Sequence, residues 1–69
     1  MKLSARNVLK GTVTKVIRGA VNSEVTIHLD DGTELVSIIT NESVDNIGLR
    51  ENIAAYAVIK ASNVMIAVD

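Results

Sequence analysis

The chain has 69 residues, with seven Lys or Arg against eight Asp or Glu and a formal charge of −1. That length fits one domain spanning residues 1–69, and the near-neutral balance offers no basic excess to draw in nucleic acid. There is no Cys and a single His, His28, so disulfides, thiolate metal sites and a histidine-built cation site are excluded.

From Asn7 to Ile17 the chain is rich in Val, Leu, Thr and Ile, which predicts a long strand, bent or bulged at Gly11. Arg18 to Ser23 is a turn of small residues. Glu24 to Leu29 alternates, with Val25, Ile27 and Leu29 on one face and Thr26 and His28 on the other. Asp30-Asp31-Gly32 is a tight hairpin signal, and Thr33 to Ile39 returns as the partner strand. Thr40 or Asn41 can N-cap a short helix, with Glu42 in its first turn, Val44 and Ile47 on one face and Gly48 at C′. Ile53 to Lys60 reads as a strand, Ala61-Ser62-Asn63 as a turn, and Val64 to Val68 as a last strand.

Three strands, a short helix and two strands make an all-β chain. The expected architecture is a small five-stranded OB-like Greek-key barrel with one short helix between strands 3 and 4. A simple antiparallel sandwich is the alternative. The expected core is aliphatic: Val13, Val25, Ile27, Leu29, Ile38, Val58 and Ile66.

So short a chain is marginal alone and needs a staple. Without disulfide or metal, oligomerisation is the staple that remains. A 48% hydrophobic content and a mean hydropathy of +0.31 agree with it. Tyr56 is the sole aromatic, which weakens single-strand nucleic-acid binding by base stacking. No apolar run approaches a membrane span, and Met1-Lys2-Leu3-Ser4 opens no signal-peptide core, so a cytoplasmic address is expected.

Two segments echo each other: Ser4-Ala5-Arg6-Asn7-Val8 and Lys60-Ala61-Ser62-Asn63-Val64. Each offers a small residue, a hydroxyl, a cation and an Asn before an apolar run. Short side chains leave backbone N–H groups free to point at a small oxyanion, and the cations balance its charge. Neither segment contains Asp or Glu. Read alone, each has an ordinary explanation. Ser4 and Arg6 make a strand-entry turn, Lys60 is a solvated charge, Ser62-Asn63 is a hairpin turn, and Thr40 is a helix cap.

Four motifs in order over essentially the whole chain carry a resemblance. They are Ser4-Ala5-Arg6-Asn7 with Gly11; Gly19-Ala20-Val21-Asn22-Ser23-Glu24-Val25; Ser37-Ile38-Ile39-Thr40 followed by Ser43-Val44; and Lys60-Ala61-Ser62-Asn63-Val64-Met65. The chain resembles the molbindins, the small molybdenum-pterin-binding (Mop) proteins, and the related transport-associated oligomer-binding (TOBE) domain of molybdate regulators and importers. The resemblance implies an OB-like barrel assembled as a homohexamer, a trimer of dimers. It implies molybdate or tungstate at subunit interfaces in more than one class of site, intracellular storage and buffering as the role, and no catalysis.

By that resemblance, Ser4, Arg6, Lys60 and Ser62 form the first class of molybdate site. Gly19, Ala20, Val21, Ser37 and Thr40 are candidates for a second class near a symmetry axis. Molybdate and tungstate are fully deprotonated dianions at neutral pH, so a fitting site presents only donors. Phosphate retains a proton near neutrality and favours an acceptor. Molybdopterin ranks behind the bare ion as ligand, because only Tyr56 offers a flat ring to stack a pterin.

The alternative function is an anion-sensing regulatory or interaction module of molybdate homeostasis. A nucleic-acid-binding barrel is opposed by the charge and the single aromatic. An enzyme is opposed by the absence of a Cys nucleophile, a second His or an acid pair flanked by apolar residues.

Overall fold

The computed structural model describes residues 1–69. Four strands form one antiparallel sheet: β1 (Asn7–Arg18), β2 (Asn22–Leu29), β3 (Glu34–Thr40) and β4 (Ala54–Ile59). Their order across the sheet is β3-β2-β1-β4, and a six-residue helix, α1 (Asn41–Asn46), joins β3 to β4. A short 3-10 turn, Ala61–Asn63, follows β4. The fold is the expected OB-like curled sheet with one helix before its fourth strand.

β1 is long because it serves two neighbours. Its first half, Asn7 to Thr12, pairs with β4, while Gly11 to Arg18 pairs with β2. The bulge lies between Val13 and Lys15, not at Gly11 as the sequence suggested. An extra residue there increases local twist and curls the sheet. Gly11 has a different purpose: a Cβ on it would stand 2.6 Å from the His28 carbonyl oxygen and 2.7 Å from Ile27 Cγ2. Only a residue without a side chain lets β1 approach β2 this closely.

The β2–β3 hairpin closes through Asp30-Asp31-Gly32. The Asp31 carboxylate accepts the Thr33 N–H at 2.9 Å, and Gly32 adopts φ +92°. The N–H bond holds the Asp31 carboxyl below its ordinary pKa. Thr40 caps α1, its hydroxyl accepting the Ser43 N–H at 3.0 Å. Gly48 at φ +66° ends the helix as expected.

Val13, Val25, Ile27 and Val44 are the buried apolar core, with Leu29, Ile39, Ile53, Ala55 and Ala57 packed against it. The inner face of the sheet forms an open apolar trough of about 680 Å³ whose only polar lining residue is Ser37.

Three expected core residues are corrected. Ile38 is 63% exposed and Val58 45%, because the inner face of β3 carries Leu35, Ser37 and Ile39, and that of β4 carries Ala55, Ala57 and Ile59. Both strands read as nearly continuous apolar runs, which carry no alternation to reveal which parity faces inward. Ile66 is 87% exposed, because the fifth strand is not formed: Val64 to Asp69 is an exposed tail paired with none of the four strands.

Candidate functional site

The β1–β4 register runs from Thr12↔Ala54 to Asn7↔Ile59. Asn7 extends it, donating from Nδ2 to the Ile59 carbonyl at 3.2 Å. The segment before Asn7 and the segment after Ile59 therefore leave the sheet from the same end of the same strand pair. Ser4 and Arg6 lie on one, Lys60 and Ser62 on the other. All four are exposed, and none of their side chains hydrogen-bonds or pairs with a charge elsewhere in the chain. Lys60 and Ser62 are set by the 3-10 turn, in which the Lys60 carbonyl accepts the Asn63 N–H at 2.8 Å. The two segments that leave this end of the sheet thus carry two hydroxyls and two cations, all uncommitted.

A second polar locus lies at the opposite end of β1. Gly19, Ala20 and Val21 are the exposed connection from β1 to β2. A Cβ on Gly19 would stand 2.8 Å from the Asn22 carbonyl oxygen, so the turn is too tight for any other residue. The turn leans on the β3–α1 junction. Asn41 N–H donates to the Val21 carbonyl at 2.8 Å, Asn41 Nδ2 donates to the Gly19 carbonyl at 2.9 Å, and the buried Ser23 hydroxyl donates to Asn41 Oδ1. Arg18 makes a forked ion pair with Asp45 of α1, at 2.8 and 3.3 Å. That guanidinium holds the Asp45 carboxyl below its ordinary pKa.

Not every candidate meets there. Thr40 is beside the turn, paired with Asn22, but its hydroxyl accepts from Ser43 N–H and donates to Ser43 Oγ at 2.8 Å. Ser37 pairs with Val25 and lines the trough, whereas Thr40 belongs to the other face of β3. Within one chain, Ser37 is therefore separate from the Gly19–Val21 turn.

Sequence reasoning passed over Asn41, Ser23, Arg18 and Asp45. Asn41 was visible only as an alternative helix cap. A pair 27 residues apart, such as Arg18–Asp45, leaves no local signal. No cluster of three or more His, Asp or Glu is positioned to hold a metal cation.

The TOBE domain model matches residues 3–66. The chain is 42% identical over 66 residues to molybdenum-pterin-binding protein 3 of Clostridium pasteurianum, covering 96% of this chain and 97% of that protein. The chain belongs to the TOBE domain family, among its molybdenum-pterin-binding members. It is also 48% identical over 67 residues to the molybdenum-pterin-binding protein MopA of Rhodobacter capsulatus, but this TOBE unit spans only 25% of MopA's length. Among solved structures, the cytoplasmic molybdate-binding protein ModG with molybdate bound superposes with a TM-score of 0.90 at 54% identity. That match covers 94% of this chain and 46% of ModG. These relatives are binding proteins. No helix of this TOBE chain is long and apolar enough to cross a membrane.

Proposed function

We propose that this protein binds molybdate, and tungstate with it, between subunits of a homohexamer, and that it stores and buffers the oxyanion in the cytoplasm without catalysing a reaction. The observation that supports this reading is the β1–β4 seam: the segment bearing Ser4 and Arg6 and the segment bearing Lys60 and Ser62 leave it at the same end, and none of the four side chains is committed elsewhere. The set has hydroxyls and cations and no carboxylate. It suits a dianion that accepts hydrogen bonds and donates none. The molybdate-bound relative supports the choice of ion. A bare oxyanion is preferred to a pterin because Tyr56 is the sole ring in the chain.

Four uncommitted donors on an exposed sheet end make half a cage, and a neighbouring subunit would complete it. The exposed apolar tail supports assembly: Val64, Met65, Ile66 and Val68 are 46 to 93% exposed. Such a stripe is unfavourable in water and is expected to find cover on another copy. A regulatory role for the same unit remains the alternative reading.

Native mass spectrometry of the purified chain, with and without molybdate, tests the proposal. The expected result is a hexamer that gains several discrete oxyanion masses. A monomer or dimer that gains none overturns it. Phosphate displacing molybdate at similar concentration would overturn the donor-only argument while leaving anion binding intact.

A further inference from the structure

The β1–β4 ladder ends at a charged step. Val13 N–H donates to the Ile53 carbonyl at 2.9 Å, and counting back by twos along the same register makes Asn7↔Ile59 the last hydrogen-bonded pair. One step further the register sets Arg6 opposite Lys60, and there the pairing stops. That step is of the non-hydrogen-bonded kind, in which opposed side chains stand closest. Arg6 and Lys60 each adjoin a member of the last pair, so their Cα atoms lie within about 13 Å of each other whichever way the chains leave it. Like charges set directly across a ladder are destabilising. Neither cation has a carboxylate to offset it, since the ion pairs of the chain are Arg18–Asp45 and His28–Glu34. What reinforces the seam at this point is the half-buried Asn7, whose Nδ2 donates to the Ile59 carbonyl at 3.2 Å. A neutral amide makes this bond without adding charge. An aspartate here would lose the donor and bring in a carboxylate to compete for the cations.

We propose that Asn7 is a positioning residue for the oxyanion: it pins the end of the β1–β4 seam against the repulsion of Arg6 and Lys60, so that both cations are held close before the anion arrives. This rests on the oxyanion reading above and deepens it, since it names what preorganises that locus. Asn7 acts through the strand pair and needs no contact with the ion. The amide and the anion favour the same closed seam, one by tying the strands and the other by offsetting the charges. Each can therefore stand in for the other, and a seam left partly open lowers the apparent affinity by the fraction of chains that are closed.

The test is amide hydrogen exchange of the full-length chain, read by NMR at Ile59 at ionic strengths of about 0.02 M and about 0.5 M, a range over which salt screens exposed charges. Calorimetry at the lower salt gives the molybdate affinity. In the wild type, Ile59 is expected to be protected at both. In Asn7→Ala, protection falls about fivefold at low salt, returns at high salt or on saturation with molybdate, and molybdate affinity drops by a similar factor. Adding Lys60→Met to Asn7→Ala removes the repulsion and restores protection at low salt. A loss that is equal at both ionic strengths, or that Lys60→Met does not reverse, makes Asn7 an ordinary strand bond and overturns the proposal while the oxyanion reading stands. Undiminished protection and affinity in Asn7→Ala overturn it as well. A wild type that binds no molybdate removes the oxyanion reading and this one together. Where Asn7→Ala does not fold, Lys60→Met alone decides: it should raise Ile59 protection at low salt and not at high salt, and equal protection at both overturns the proposal.

Discussion

Single residues in this chain are legible when their reason is local. Gly32, Gly48 and Thr40 sit where hairpin, helix end and helix cap require them. Gly11 was visible as an oddity in a strand, but its reason, the approach of the His28 carbonyl, is a tertiary fact. The Arg18–Asp45 pair is equally invisible along the chain, and it has a pH consequence. Its carboxylate has a folded pKa below the ordinary value, so it contributes stability that is complete above the unfolded pKa and lost as pH falls through the folded one. Asp31 acts in the same direction through the Thr33 N–H. Asp45→Asn is expected to change stability little at neutral pH, because both side chains are half exposed or more. Across the acid limb, from about pH 5 to pH 3, the variant should lose stability less steeply than the wild type. Urea unfolding at a series of pH values measures both; parallel curves would show that the pair contributes nothing.

The elements themselves were readable in type and order, and the helix most clearly. α1 has six residues, too few to persist alone, so its stability comes from attachments. Thr40 caps it, Asp45 ties it to β1, and Val44, 4% exposed, anchors it in the core. Ile47, expected on the same apolar face, is 66% exposed because it lies past the helix as its C-cap. Val44→Ala removes buried methyl groups and is expected to cost about 2 kcal/mol. Thr40→Ala removes one cap bond and is expected to cost about 1 kcal/mol. Chemical denaturation checks the ranking, and a larger loss at Thr40 than at Val44 would contradict the packing described. The inward parity of β3 and β4 was not readable, since Leu35-Val36-Ser37-Ile38-Ile39 and Ala54-Ala55-Tyr56-Ala57-Val58 are apolar on both faces. In the single chain the outer-face residues Val36, Ile38, Tyr56 and Val58 stay exposed.

The whole molecule shows the same shortage. Only 7 of 69 residues are buried, and the accessible surface is 5461 Å². A compact monomer of this mass exposes about 4,200 Å², so the single chain carries roughly 1,300 Å² more than a finished globule should. The tail from Val64 to Asp69 contributes to that excess, and it is the segment the sequence pattern read as a fifth strand. Val64-Met65-Ile66-Ala67-Val68 is an unbroken apolar run, and that run carried a strand expectation which the single chain does not fulfil. If assembly covers this surface, the melting temperature rises with protein concentration. Removing residues 64–69 should abolish that dependence and reduce the sedimenting mass to a smaller species. An unchanged sedimentation coefficient per chain would show that the tail has no part in assembly.

The bond from Asn7 Nδ2 to the Ile59 carbonyl joins residues 52 positions apart. Closing so long a loop costs entropy that is recovered only after the strands between are in place. The β1–β4 seam is therefore expected to close late in folding, and the ion locus proposed at its end would be absent from a half-folded chain. An anion held there recognises only the finished protein. Such an anion is expected to slow unfolding while leaving the folding rate unchanged, which stopped-flow refolding and unfolding with and without molybdate would measure.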